Sequence, residues 1–247
     1  MKKQCVVIIP IYQKILNEYE KQSVINTIDK FHNLFDILFM TYESFDIDKF
    51  YIENNIDEKY KINYVYYKDK FFTNIDSYNQ LFFDRSFYAY YSQTYQYMLI
   101  VQTDAYVFDQ YKILDYINKG YMFIGAPVIP PNWDDLLYEC NRGIYYNGGL
   151  SLRNIEKCIE CLDNKEYIEF FYANNTQYDE DILFSIYEQL YEKSPTYLEA
   201  LQFAIDNQFK MYAPILNLQK PFGVHHFFND DDNGDNKLNL LKKLKWI

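Results

Sequence analysis

Positive charge is scarce in this chain: 24 Lys and Arg stand against 35 Asp and Glu, a formal net charge of −11. A general nucleic-acid binder needs a basic face to displace phosphate counterions, so that class is excluded. A nucleotide-sugar ligand is not, because a divalent cation can bring its diphosphate to an acidic protein. Cysteine is sparse too, and of Cys5, Cys140, Cys158 and Cys161 only the last two have C-x-x-C spacing. With no second close pair there is no zinc ribbon, and the thiols read as reduced and unreactive. Long apolar runs are missing: Cys5–Ile9 ends at Pro10, too short for a secretory core or a bilayer span, which makes the cytoplasm the expected compartment. The chain has only seven glycines, and none stands in Ile11-Tyr12-Gln13-Lys14 after the first apolar run. A nucleotidyltransferase would want a glycine-rich basic phosphate loop there. No internal repeat or low-complexity segment is present.

What remains is long enough, at 247 residues, for one α/β domain with a full core. Its 28 Tyr and 20 Phe are too many to be sugar platforms and are expected mostly in the core. Continuous apolar runs predict strands covered on both faces at Cys5–Ile9, 36–40 and 97–101, with a further strand at 62–67. Mixed three- and four-residue apolar spacing predicts helices over 17–35, 77–91, 111–119, 154–162 and 179–191, and a short amphipathic element over 198–207. The order is that of an α/β sandwich with a largely parallel sheet. Residues 121–127 are an apolar run ending in turn residues. Ile129-Pro130-Pro131-Asn132-Trp133 is a loop, since its prolines deny a ladder its donors.

The organising stretch is Tyr97-Met98-Leu99-Ile100-Val101-Gln102-Thr103-Asp104, which delivers a carboxylate at the end of a buried strand. In open α/β sheets ligands bind outside the carboxyl ends of the strands, where such an acid reaches a metal, a ribose or a phosphate-bound cation; the alternative is an Asp capping a turn. Gly148-Gly149 permits positive φ or a close backbone approach, or marks an ordinary hairpin or bulge. Asp179, Glu180 and Asp181 open a helix, where the macrodipole favours acids whether as caps or as a site. His225 and His226 are adjacent, and adjacent side chains point apart, so one of them at most is expected on any one metal. The Asp-rich stretch 229–235 lacks the closing Glu of a calcium loop and reads as solvated linker. Residues 238–247 form a basic amphipathic end that either touches an anionic surface or packs on the body.

In order, Val6–Pro10, Leu99–Asp104, Phe123–Pro127, Asn147–Arg153, Glu180-Asp181 and Pro221–His225 resemble an uncharacterised family of bacterial and eukaryotic glycosyltransferase-like proteins. Its fold is GT-A, a mostly parallel central sheet flanked by helices. The resemblance covers residues 4–228, implying a single GT-A-like domain over 1–228 and a tail over 229–247. It implies transfer of a sugar from a nucleotide-sugar donor to a hydroxyl of a glycan or lipid-linked acceptor, in the setting of bacterial surface polysaccharide. The alternative is a non-catalytic carbohydrate- or nucleotide-binding protein of the same fold. The family's D-x-D tripeptide matches Gln102-Thr103-Asp104, so the first acid is missing and Asp104 alone carries over, with His225 completing a Mn²⁺ or Mg²⁺ shell. Asp181 matches the general base of inverting members, with Glu180 as its orienter or runner-up. Asn147, Gly148 and Gly149 fall near the sugars, Trp133 against an acceptor ring, and Pro10, Ile11 and Tyr12 beside the nucleotide base. A lipid-linked acceptor implies peripheral contact with the inner membrane through the basic tail.

Overall fold

The computed structural model describes residues 2–128, 145–174, 179–206, 216, 219–228 and 237–247. Its centre is a six-stranded sheet built from β1 (Lys3–Pro10), β2 (Asp36–Tyr42), β3 (Asn63–Tyr67), β4 (Tyr95–Val101), β6 (Phe123–Pro127) and β7 (Tyr146–Asn154) in the order β3-β2-β1-β4-β7-β6. The first four strands in that order are parallel, and β7 is antiparallel to both β4 and β6. The expected mostly parallel α/β sheet is therefore present. The alternation of β1 shows why its run is apolar throughout. Val7 and Ile9 face a core shared with Phe31 and Ile113, while Val6 and Ile8 face a second core with Phe82, Tyr88 and Phe184.

The first face carries α1 (Glu18–Phe31), α2 (Ile47–Glu53) and α5 (Lys112–Lys119); the other carries α3 (Ile75–Phe83), α4 (Arg85–Ser92), α6 (Ile155–Asp163), α7 (Lys165–Asn174) and α8 (Glu180–Tyr191). Caps set several boundaries. Asn17 accepts from the Tyr19 and Glu20 amides while Glu20 returns a bond to the Asn17 amide, a capping box that opens α1. The single helix expected over 77–91 is two helices, because Asp84 is extended and its carboxylate accepts from the Ser86 amide, ending α3 and starting α4. α2 and α7 were not foreseen. Cys5, Cys158 and Cys161 are free and buried, and burial pushes each thiol up, which keeps them protonated packing groups. Cys140 lies outside the described residues.

A second, small sheet positions the site. β5 (Tyr106–Val107), β8 (Ala204–Ile205) and β9 (Gly223–Val224) pair in the order β5-β9-β8, with α9 (Tyr197–Phe203) leading into β8. The C-terminal helix α10 (Lys237–Lys243) closes over it. Leu238, Leu241 and Trp246 are buried with Phe108, Leu201, Ile205, Val224 and Phe227. Of the two readings of the basic end, packing on the body holds for these apolar side chains, while Lys242, Lys243 and Lys245 stay exposed. The 229–235 stretch lies outside the described residues. No helix among those described is long and apolar enough to cross a membrane.

Candidate active site

Register in the small sheet brings together residues far apart in sequence. β5 runs antiparallel to β9 with Tyr106 opposite Val224, and β8 runs parallel to it with Ile205 opposite Val224. The next residues out are therefore neighbours. The His225 amide donates to the Ile205 carbonyl at 2.9 Å and the Phe227 amide to the Asp104 carbonyl at 3.0 Å. Asp104, Asp206, His225 and His226 meet at this one end.

Both histidines reach Asp104. His225 Nε2 lies 3.3 Å from one carboxylate oxygen and His226 Nε2 lies 3.2 Å from the other. The expectation that adjacent side chains diverge fails here because His226 has φ +50°, a left-handed residue that swings its ring back beside that of His225. The ring centroids are 3.9 Å apart. Asp206, which the sequence reading did not single out, stands on the opposite edge of the rings, its Oδ1 2.9 Å from His226 Nδ1 and 3.5 Å from His225 Nδ1. Asp104 is thus no turn cap. Burial works against its charge, yet the flanking histidines hold it below the ordinary carboxylate range. Asp206 is held down in the same way against its burial. His225, 2% exposed, is pushed up to about 10 by Asp104 and Asp206 despite its own burial.

One oxygen of Asp104 and one nitrogen of each histidine all lie within 4.8 Å of one another, a spacing a single cation can bridge. The donor set fits a divalent ion that accepts imidazole and carboxylate together. A cleft of about 440 Å³ opens onto this cluster, walled by Tyr12 from the end of β1 and by Thr73, Asn74 and Tyr78 at the start of α3, with Gln102, Asp104 and His226 in its lining. Of Pro10, Ile11 and Tyr12, expected beside the base, Tyr12 lines this cleft, whereas Pro10 and Ile11 are buried and outside its lining, as is Thr103 of the D-x-D-like tripeptide. Gln102 Oε1 stands 3.2 Å from His225 Nε2.

The two glycines tie this cluster to the acids of α8. The β6–β7 register shifts between Gly125 and Ala126, so Gly125 faces Ser151 and Ala126 faces Asn147. The intervening stretch of β7 bulges away, and the Gly149 carbonyl accepts instead from the Gln102 amide at 2.8 Å. Neither Gly148 nor Gly149 has positive φ; close approach is what requires them. A Cβ on Gly149 would lie 2.2 Å from His225 Nε2 and 2.5 Å from Gln102 Oε1. One on Gly148 would lie 3.0 Å from Glu180 Oε1 and 3.5 Å from the Asp181 Cβ. Asn147 turns inward and accepts from the Gly149 amide.

Glu180 and Asp181 part company. Glu180 is buried and accepts from Arg153 Nη2 at 2.9 Å; that guanidinium also donates to Tyr88 and Ser151 and lies 4.5 Å over the Phe82 ring. The two residues form a buried ion pair, and Arg153, although the last residue of the Asn147–Arg153 motif, was given no role because its partner Glu180 is 27 residues away in the chain. Asp181 accepts from the Gly148 amide at 3.1 Å and the Ile182 amide at 2.8 Å. The helix N-terminus was expected to keep it ionised, but burial, with Glu180 and Asp179 beside it, raises it to about 7. Asp179 makes no side-chain cap bond and instead accepts from Asn79. Trp133 lies outside the described residues.

A family model described as "Protein of unknown function (DUF5672)" matches residues 61–225, more than half of the chain. The chain belongs to the DUF5672 family. No curated protein sequence matches this DUF5672 chain. Among solved structures it is similar to mouse xyloside xylosyltransferase 1 in its apo form, at 8% identity and TM-score 0.56, over 95% of this chain and 99% of that one. A glycosyltransferase involved in glycosylation of the major capsid of PBCV-1 aligns at 11% identity and TM-score 0.46 over 99% and 100% of the two chains. Core-mannan synthase A of Aspergillus fumigatus, in a Mn/GDP form, aligns at 11% identity and TM-score 0.44 over 76% and 70%. The first likeness shows that this DUF5672 protein has a GT-A-like glycosyltransferase fold.

Proposed function

We propose that the protein is a nucleotide-sugar-dependent glycosyltransferase acting on a hydroxyl of a glycan or lipid-linked acceptor. The observation that carries this reading is the Asp104–His225–His226 cluster at the edge of the cleft, joined to Asp181 by the Gly148-Gly149 bulge. Asp104, His225 and His226 would hold a divalent cation, and two imidazoles favour Mn²⁺ over Mg²⁺. Bound there, the cation supplies charge to offset that on the departing diphosphate. Tyr12 borders the nucleotide, and Gly148 with Asn147 borders the sugars. Asp181, held near 7, has the proton affinity a general base needs at neutral pH. It takes the acceptor hydroxyl's proton as that oxygen bonds to the anomeric carbon and the bond from that carbon to the diphosphate oxygen breaks, which inverts the centre. The mouse xylosyltransferase relative supports the reaction class through its fold. A lipid-linked acceptor would place the protein at the cytoplasmic face of the inner membrane, with exposed Lys242, Lys243 and Lys245 of the tail as the contact.

Calorimetric and thermal-shift titration with nucleoside diphosphates and nucleotide-sugars, each with Mn²⁺, Mg²⁺ or EDTA, tests it. Binding that needs the cation and vanishes in Asp104→Ala is the expected result. Absence of nucleotide binding under every condition sinks the transferase and leaves a carbohydrate-binding protein of the same fold.

A further inference from the structure

We infer that Asp206 and the C-terminal helix form a positioning layer that aims His226 Nε2 at Asp104 through its side chain and holds His225 through its backbone, which makes residues 237–247 part of the site. The inference rests on the cation reading above and assigns the residues that build its geometry. Each imidazole is bracketed by carboxylates. Asp206 Oδ1 bonds His226 Nδ1 at 2.9 Å, whereas His225 Nδ1, 3.5 Å from it, is buried without a hydrogen-bond partner among the described residues; Asp104 faces both Nε2 atoms. A ring that donates its Nδ1–H to a carboxylate has its Nε2 lone pair free for a metal, and such outer partners fix both tautomer and ring orientation. Asp206 is 7% exposed, so its bond to His226 is made by a buried carboxylate.

Asp206 is itself anchored from outside the sheet. Lys237 Nζ, fully buried, donates to the Asp206 carbonyl at 2.5 Å and to the His225 carbonyl at 3.4 Å. It therefore ties the ends of β8 and β9 together where their ladder stops. A buried ammonium is costly, and here it sits on the two residues that must stay in register. Leu238 and Leu241 hold the helix down beside it. The layer also answers the missing first acid at Gln102: a second carboxylate is present, 104 residues further on, behind the rings rather than in front of them.

Mn²⁺ affinity of the full chain by calorimetry, with circular dichroism to verify folding, tests this. Asp206→Ala is expected to weaken Mn²⁺ by about 10–100-fold, and Asp206→Asn, which keeps an acceptor oxygen, by less. Asp206→Asn also carries the test if the alanine variant does not fold. Lys237→Met leaves the carboxylate in place and is expected to weaken Mn²⁺ through the loosened strand ends. Nitrogen-15 spectra of the Zn²⁺-loaded protein are expected to show His226 ligating through Nε2 with Nδ1 protonated in the wild type and a mixture of Nε2 and Nδ1 ligation in Asp206→Ala. A merely structural Asp206 would not move that signature. Folded Asp206 variants with wild-type Mn²⁺ affinity and unchanged tautomers overturn the inference alone, and unchanged affinity in Lys237→Met overturns the part assigned to the helix. A wild-type chain that binds no divalent cation overturns the cation reading and this inference together.

Discussion

Glu180 and Asp181 are adjacent acids on one helix, and substitution is expected to separate them. Removing Glu180 strands the fully buried Arg153 guanidinium, so Glu180→Ala should cost about 3–5 kcal/mol of stability and show up as a lowered denaturation midpoint. Asp181→Asn should leave folding and nucleotide affinity near wild type and lower kcat by about 10²–10⁴-fold. Because Asp181 sits near 7, wild-type turnover should fall on acidification with a limb at that pH, and a flat profile from pH 6 to 8 would remove Asp181 as the base. Gly149→Ala sets a methyl where His225 Nε2 and Gln102 Oε1 already stand. It should abolish cation-dependent nucleotide binding in a protein that still folds, read by the same titration with and without EDTA.

At the scale of elements, α8 is fastened to the sheet by an unusual contact. Glu188 Oε1 accepts from the Met122 and Phe123 amides at the start of β6, at 2.8 and 3.0 Å. Burial raises its carboxyl to about 8 against the pull of those two amides. The folded chain therefore keeps this proton over a range where the unfolded chain, with an ordinary value of about 4.3, has lost it. The resulting stability is complete below that ordinary value and drains away as pH rises toward 8. Glu188→Gln keeps an acceptor oxygen and cannot ionise. Its melting temperature should fall less than the wild type's between pH 5 and pH 8, by at least about 2–4 °C. Equal falls in the two proteins would show that Glu188 is ionised in the folded state.

Among the described residues of the whole molecule, three buried clusters divide the labour. Two fill the faces of the large sheet, and the third joins the small sheet to the C-terminal helix. The end that carries the candidate site thus depends on a core to which residues 238–246 contribute. Leu241 is fully buried in it, and Leu241→Ala should cost about 2–5 kcal/mol, measured by denaturant unfolding. An effect below about 0.5 kcal/mol would mean that the terminal helix is not held on the body. The net charge of −11 fits a site in which paired imidazoles and a cation, rather than a basic groove, meet a diphosphate.

Four strands of the large sheet were legible in the chain, β1, β2 and β4 because they are continuous apolar runs that two-sided burial requires, while β6 and β7 were not assigned as strands; Asp104 was legible as the acid at the end of β4. His225 and the acids of α8 were found by their place in an ordered set of motifs. Asp206 and Lys237 were not singled out, and Arg153 and His226, though named, were given no place in the site, and the reasons are physical. The small sheet consists of two-residue strands, too short for periodicity to register, yet its pairing alone sets Asp206 beside His225 and Asp104 beside both histidines. The positive φ of His226 turns a ring that strict alternation would send away. The different roles proposed for Glu180 and Asp181 rest on which of them meets Arg153, a contact between β7 and α8 beside the bulge at Gly148-Gly149. Composition and hydrophobic pattern determined the fold; register, one left-handed residue and one buried ion pair decided the site, because each depends on distances between segments that the chain brings together only by folding.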